Sequence, residues 1–64
     1  MRNTVKAKDW ATENADGRQQ AAAAIADLRA SGNVPALVAK VRAMAARSDG
    51  EAVGFLYEVS TRLV

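Results

Sequence analysis

The stretch DGRQQAAAAIADLRASG, residues 16–32, limits this chain more than any other, because it is rich in alanine and carries helix-ending chemistry at both ends. Alanine loses no side-chain entropy in a helix and is the strongest helix former. Asp16 is positioned to accept the Gln19 amide, and Gln19 to return the bond, in an Asp-x-x-Gln capping box. Gly32 follows as a residue free to take the positive φ that closes a helix. Ala21, Ile25 and Leu28 fall on one side, flanked by Ala22 and Ala24.

Two more helices follow from the same logic. Asn33 or Val34 opens the next, with Pro35 in its first turn, where a missing N–H costs nothing. Leu37, Val38, Val41, Met44 and Ala45 give it an apolar stripe. Ser48 and Glu51 then form a Ser-x-x-Glu capping box for a last helix, with Asp49 and Glu51 suited to its positive end. Glu58 and Arg62 make a favourable i,i+4 pair there. A weaker first helix, capped by Thr4, would place Ala7, Trp10, Ala11 and Asn14 on one side and dock through Trp10, leaving ENADG as a loop. With no alternating β-branched run, strands have no foothold. The expectation is an all-α fold without strands, a single domain of three to four helices with short loops. The helices span about 4–14, 17–31, 35–47 and 49–63.

Size and composition narrow the chemistry. A 64-residue chain buries only about 60% of the surface its unfolded form exposes, and domains this small commonly lean on disulfides, metals or a partner. There is no Cys and no His, which removes disulfides and the usual zinc and transition-metal ligands. The common nucleophile–base pairs go with them. The glycines are scattered rather than grouped in a phosphate loop. The expectation is a protein that is not an enzyme, with no catalytic residue, no metal and no cofactor.

Charge adds little. Residues 1–32 carry five cations and four anions, residues 33–64 four and three, for a net +2. Ala21 to Ala26 is far too short an apolar run to span a bilayer, and MRNTVKAKDW has no apolar signal core. A cytoplasmic protein without membrane or small-molecule partners is expected.

Two surfaces remain as binding candidates. In the last helix Val53, Phe55, Leu56, Tyr57, Val59, Leu63 and Val64 sweep an arc of roughly 200° at about 100° per residue, far wider than a bundle edge needs. Phe55, Tyr57, Val59, Leu63 and Val64 are therefore the candidate protein interface, for another protein or for a second copy of the chain. The implied function is a non-catalytic interaction module: a small regulator, adaptor or inhibitor. The alternative is a helix-turn-helix DNA-binding regulator, built on LRASGNVPALVAKVRA with Asn33, Lys40, Arg42 and Arg47 as nucleic-acid contacts. Its second helix, however, opens with Val, Ala and Leu where base readout wants Arg, Asn, Gln or Ser.

Overall fold

The computed structural model describes residues 9–63. Three helices account for most of them, α1 (Trp10–Ser31), α2 (Val34–Ala45) and α3 (Gly50–Leu63), and no strand occurs among the described residues.

The first helix departs from the expectation. It runs unbroken through Glu13–Gly17, so ENADG is helical rather than a loop, and Asp16 lies in the helix interior. The cap sits seven residues earlier: Asp9 accepts the Thr12 N–H at 2.8 Å. A mid-helix glycine costs about 1 kcal/mol relative to alanine, which is why Asp16–Gly17 reads locally as a break. Tertiary packing reverses that preference, because Gly17 is buried against α3. Of the separate helix expected over 4–14, residues 9–14 are described: Asp9 caps α1 and residues 10–14 belong to it; residues 4–8 lie outside the described residues.

The other boundaries are local chemistry. Gly32 ends α1 with φ 70°, and its N–H donates to the Leu28 carbonyl at 2.6 Å. Asn33 caps α2, its Oδ1 accepting the Ala36 N–H at 3.2 Å, with Pro35 in the first turn. For α3 the cap is Asp49 rather than Ser48. The Asp49 carbonyl takes the first helical bond, from Val53 at 3.1 Å, and the Ala52 N–H helps to hold the Asp49 carboxyl below the usual range.

Three helices joined by short turns usually pack as antiparallel neighbours, but here the main contact joins the first and third. Gly50 lies beside Trp10 and Glu13, Gly54 beside Asn14, and Glu58 beside Arg18. Both helices therefore run in the same direction, and α2 returns the chain between them. The seam is built on missing side chains. A Cβ on Gly17 would lie 1.8 Å from the Glu51 carbonyl oxygen, and one on Gly54 would lie 2.1 Å from that of Asn14. Ala21, one turn beyond Gly17, is fully buried too.

The core beside this seam is small: Ala21, Ile25, Leu37, Ala52 and Phe55. Phe55 and Ile25 are its large, fully enclosed side chains, each contributing about 2–3 kcal/mol by leaving water. Leu37 is the buried side chain of α2; Val41 and Met44 are half-buried and the rest of that helix is exposed.

Candidate functional site

The residues expected to form one interface on α3 are divided by the fold. Phe55 is enclosed in the core with no exposed surface, and this corrects its assignment to the interface. The glycine seam brings the α1 backbone at Gly17 against the α3 backbone at Glu51 and Phe55, and Phe55 lies on the packed side of α3. Val59 is half-buried, whereas Tyr57 and Leu63 are 55% and 49% exposed. Six residues apart, those two point about 120° away from each other, so they do not share a patch. Val64 lies outside the described residues.

Other exposed apolar side chains stand beside Tyr57 on α3 and at the start of α1. Val53 precedes it by one turn and is 40% exposed; Trp10 is 56% exposed, its backbone oxygen against Gly50 at the start of the same helix. Trp10 thus reaches outward instead of docking α1 onto the fold. The Arg18 guanidinium carbon sits 5.3 Å from the centroid of the Tyr57 ring, within reach of a cation–π contact. Arg18 is held there by Glu58, which accepts from its Nε at 3.0 Å and from Arg62 Nε at 2.7 Å. Ser60 and Thr61 turn their hydroxyls back onto the Tyr57 and Glu58 carbonyls. Val53 and Tyr57 form an exposed apolar strip one turn long, and the neighbouring Arg18 and Arg62 both pair with Glu58. Val53 belongs to the arc legible in the sequence; Trp10 stands exposed at the start of α1, where its backbone meets Gly50.

The candidate nucleic-acid residues are not brought together. The Asn33 side chain is occupied as the α2 cap. Arg47 donates to Asp49 from Nε at 3.1 Å and from Nη2 at 2.6 Å, and to Glu51 at 2.8 Å. Its carboxylate partners, Asp49 foremost, raise its pKa further, so this cation is committed to the α2–α3 junction. Glu51 also accepts from Gln20 Nε2 on α1, tying α1 and α3 to the turn that follows α2. Lys40 borders an open groove of about 230 Å³ between α1 and α2, lined also by Asp27, Leu28 and Ala36. Arg42, two residues on, faces about 200° away. Neither makes an ion pair within the described residues.

Four carboxylates carry lowered pKa values. Asp9 is held down by the Thr12 hydrogen bonds, Asp49 by Arg47, Glu51 by Arg47 and then Gln20, and Glu58 by Arg18 and then Arg62. A carboxyl whose folded-state pKa is depressed contributes stability above its unfolded pKa and loses it as pH falls through the folded value. No side chain of this composition ordinarily titrates between the carboxylates and tyrosine. Thermal melts followed by circular dichroism should therefore give a constant midpoint between about pH 6 and pH 8 and a falling one below about pH 5. A midpoint unchanged down to about pH 3 would remove these carboxylates from the account of stability.

Among the described residues no three potential ligands cluster as a metal site would need, and no helix is long and apolar enough to cross a membrane. Comparison with protein-family models, with curated proteins and with solved structures returns no match.

Proposed function

We propose that this chain is a non-catalytic helical interaction module that works by binding protein, using the exposed Val53 and Tyr57 of α3 and the exposed Trp10 at the start of α1. The observation that carries this reading is the outward placement of two aromatic side chains, Trp10 at 56% and Tyr57 at 55% exposure, while the large side chains fully enclosed among the described residues are Phe55 and Ile25. Tryptophan and tyrosine are the residues most enriched where binding energy concentrates. A side chain with a structural duty would be expected inside, where a fold this small needs every apolar contact.

A second copy of the chain is an occupant that an exposed apolar surface can take in a self-complementary twofold arrangement. Arg18 and Arg62 share Glu58 and leave a net +1 beside it, so such a contact would rest on apolar burial rather than on charge pairing. The working consequence is a regulator, adaptor or inhibitor whose activity depends on assembly.

Sedimentation equilibrium tests this directly. The wild-type chain should show a concentration-dependent mass approaching two chains, and Tyr57→Glu should hold the mass at one chain with its helical content retained. A wild-type mass of one chain at all concentrations into the hundreds of micromolar would overturn self-association. DNA binding, the competing reading, keeps from its candidate residues Lys40 and Arg42, which make no ion pair within the described residues, while Asn33 caps α2 and Arg47 pairs with Asp49.

A further inference from the structure

We propose that the groove between α1 and α3 at Arg18 and Arg62 binds a phosphate group, as inorganic phosphate or a small phosphate monoester. This goes beyond the binding of protein, and the site needs no second chain.

Two helices build it. Ala15, Arg18, Gln19 and Ala22 lie on one side of α1 at three- and four-residue spacing. Glu58 and Arg62 meet them from α3 around an open groove of about 290 Å³. The two alanines leave the space, and Gln19 adds a carboxamide to the lining. Glu58 lies low in this groove, its side chain 12% exposed, against 51% for Arg18 and 43% for Arg62. Its Oε1 accepts from Arg18 Nε and its Oε2 from Arg62 Nε, so one carboxylate holds two guanidinium groups as neighbours. Among the described residues both arginines bond to protein through Nε, which leaves the Nη donors of each for a ligand. Arg18 is fixed a second time, its guanidinium lying over the Tyr57 ring. Ordering a long side chain is one of the costs of taking up a ligand, and here these contacts meet part of it in advance.

Charge selects the ligand. Two cations and one anion leave a net +1 in the groove, which favours an anion. A phosphate monoester carries about −1.5 to −2 at neutral pH and three strong acceptor oxygens, enough to meet both guanidinium groups at once. The planar fork of arginine also matches phosphate oxygens in bidentate pairs. A ligand carboxylate would engage one fork and repeat what Glu58 already supplies. Because the glycines form no phosphate loop, side chains of two helices make this site in place of backbone N–H groups.

The test follows the arginine Nε–Hε signals of the full ¹⁵N-labelled chain at fixed ionic strength. Inorganic phosphate should shift Arg18 and Arg62 along a saturable curve in the millimolar range, while Arg29, Arg42 and Arg47 stay in place. Chloride should give no saturable shift, and acetate a much weaker one. Arg62→Gln should weaken phosphate binding about tenfold, the worth of one charge-assisted contact, while circular dichroism shows the fold intact. Arg62→Lys keeps the charge but loses the fork, and it too should bind phosphate more weakly. Glycerol 3-phosphate then separates the two sources: tighter binding than inorganic phosphate assigns the groove to an ester, equal or weaker binding to the free ion. Shifts that match those in chloride, equal affinity for acetate, or shifts spread over all the arginines would overturn the proposal. So would phosphate binding by Arg62→Gln as tight as that of the wild type.

Discussion

Gly17→Ala should leave the chain largely unfolded at 37 °C, although alanine is the better helix former. The substitution gains about 1 kcal/mol of helix propensity. Against that, the new methyl group would stand 1.8 Å from the Glu51 carbonyl oxygen and 2.8 Å from the Phe55 nitrogen. Both are backbone atoms of a helix, so no side-chain rotation relieves the clash and α3 has to move away as a unit. Overpacking of a tight contact costs about 1–3 kcal/mol even where side chains can give way, and here a net loss of about 3 kcal/mol is expected. A domain of this size holds only about 3–5 kcal/mol in total. Gly54→Ala should behave alike, since its methyl group would meet the Asn14 carbonyl oxygen at 2.1 Å. Gly32→Ala provides the contrast. That position has open space but a φ of 70°, so the cost is backbone strain alone, about 1 kcal/mol. Urea melts of the three variants should rank Gly17 and Gly54 together, well below Gly32. A Gly17→Ala midpoint equal to or above wild type would show that α1 and α3 do not meet through backbone.

Phe55→Ala should be nearly as damaging, for the opposite physical reason. Emptying a fully enclosed aromatic site costs about 3–5 kcal/mol, made up of lost transfer energy and the cavity left behind. Phe55 and Ile25 are the two large side chains wholly removed from solvent, so a single truncation takes away roughly half of that anchor. Phe55→Leu should lose under about 1.5 kcal/mol because most of the volume remains. The pair separates core from interface: denaturant midpoints should fall steeply for Ala and slightly for Leu. A Phe55→Ala chain that stays as stable as wild type but ceases to self-associate would return this residue to the surface.

Gly32, Asn33 and Pro35 were legible because each acts through its own neighbours. A capping amide or a positive φ is decided within four residues, and no distant contact competes with it. Gly17 and Phe55 were not legible in that way. After an aspartate, a glycine reads as a turn, and only the arrival of α3 thirty-four residues later makes it a contact surface. The spacing held the signal: Gly17 with Ala21, and Gly50 with Gly54, each put two small residues one turn apart on one helix face. The wide apolar arc of α3 is divided by the fold. Counting apolar residues does not reveal that Phe55 is enclosed while Val53 and Tyr57, on the same arc, remain exposed. The pairing of Arg47 was hidden for a related reason, since an arginine near Asp49 and Glu51 bonds to them only once the turn brings all three together.

Two helices that lie side by side in the same direction need a return path, as two parallel strands need a crossover. From Ser31 back to the level of Glu13 is about 27 Å at 1.5 Å per residue, and the twelve residues of α2 recover about 18 Å of it. Its presence is therefore demanded by topology, whatever its packing, which accounts for a helix with one buried side chain. A strap of that kind has a length to keep and little else. Its outward positions answer to no internal neighbour, so they can change from one descendant of this sequence to the next without unsettling the pair it connects, and selection on whatever touches the chain from outside can act there first.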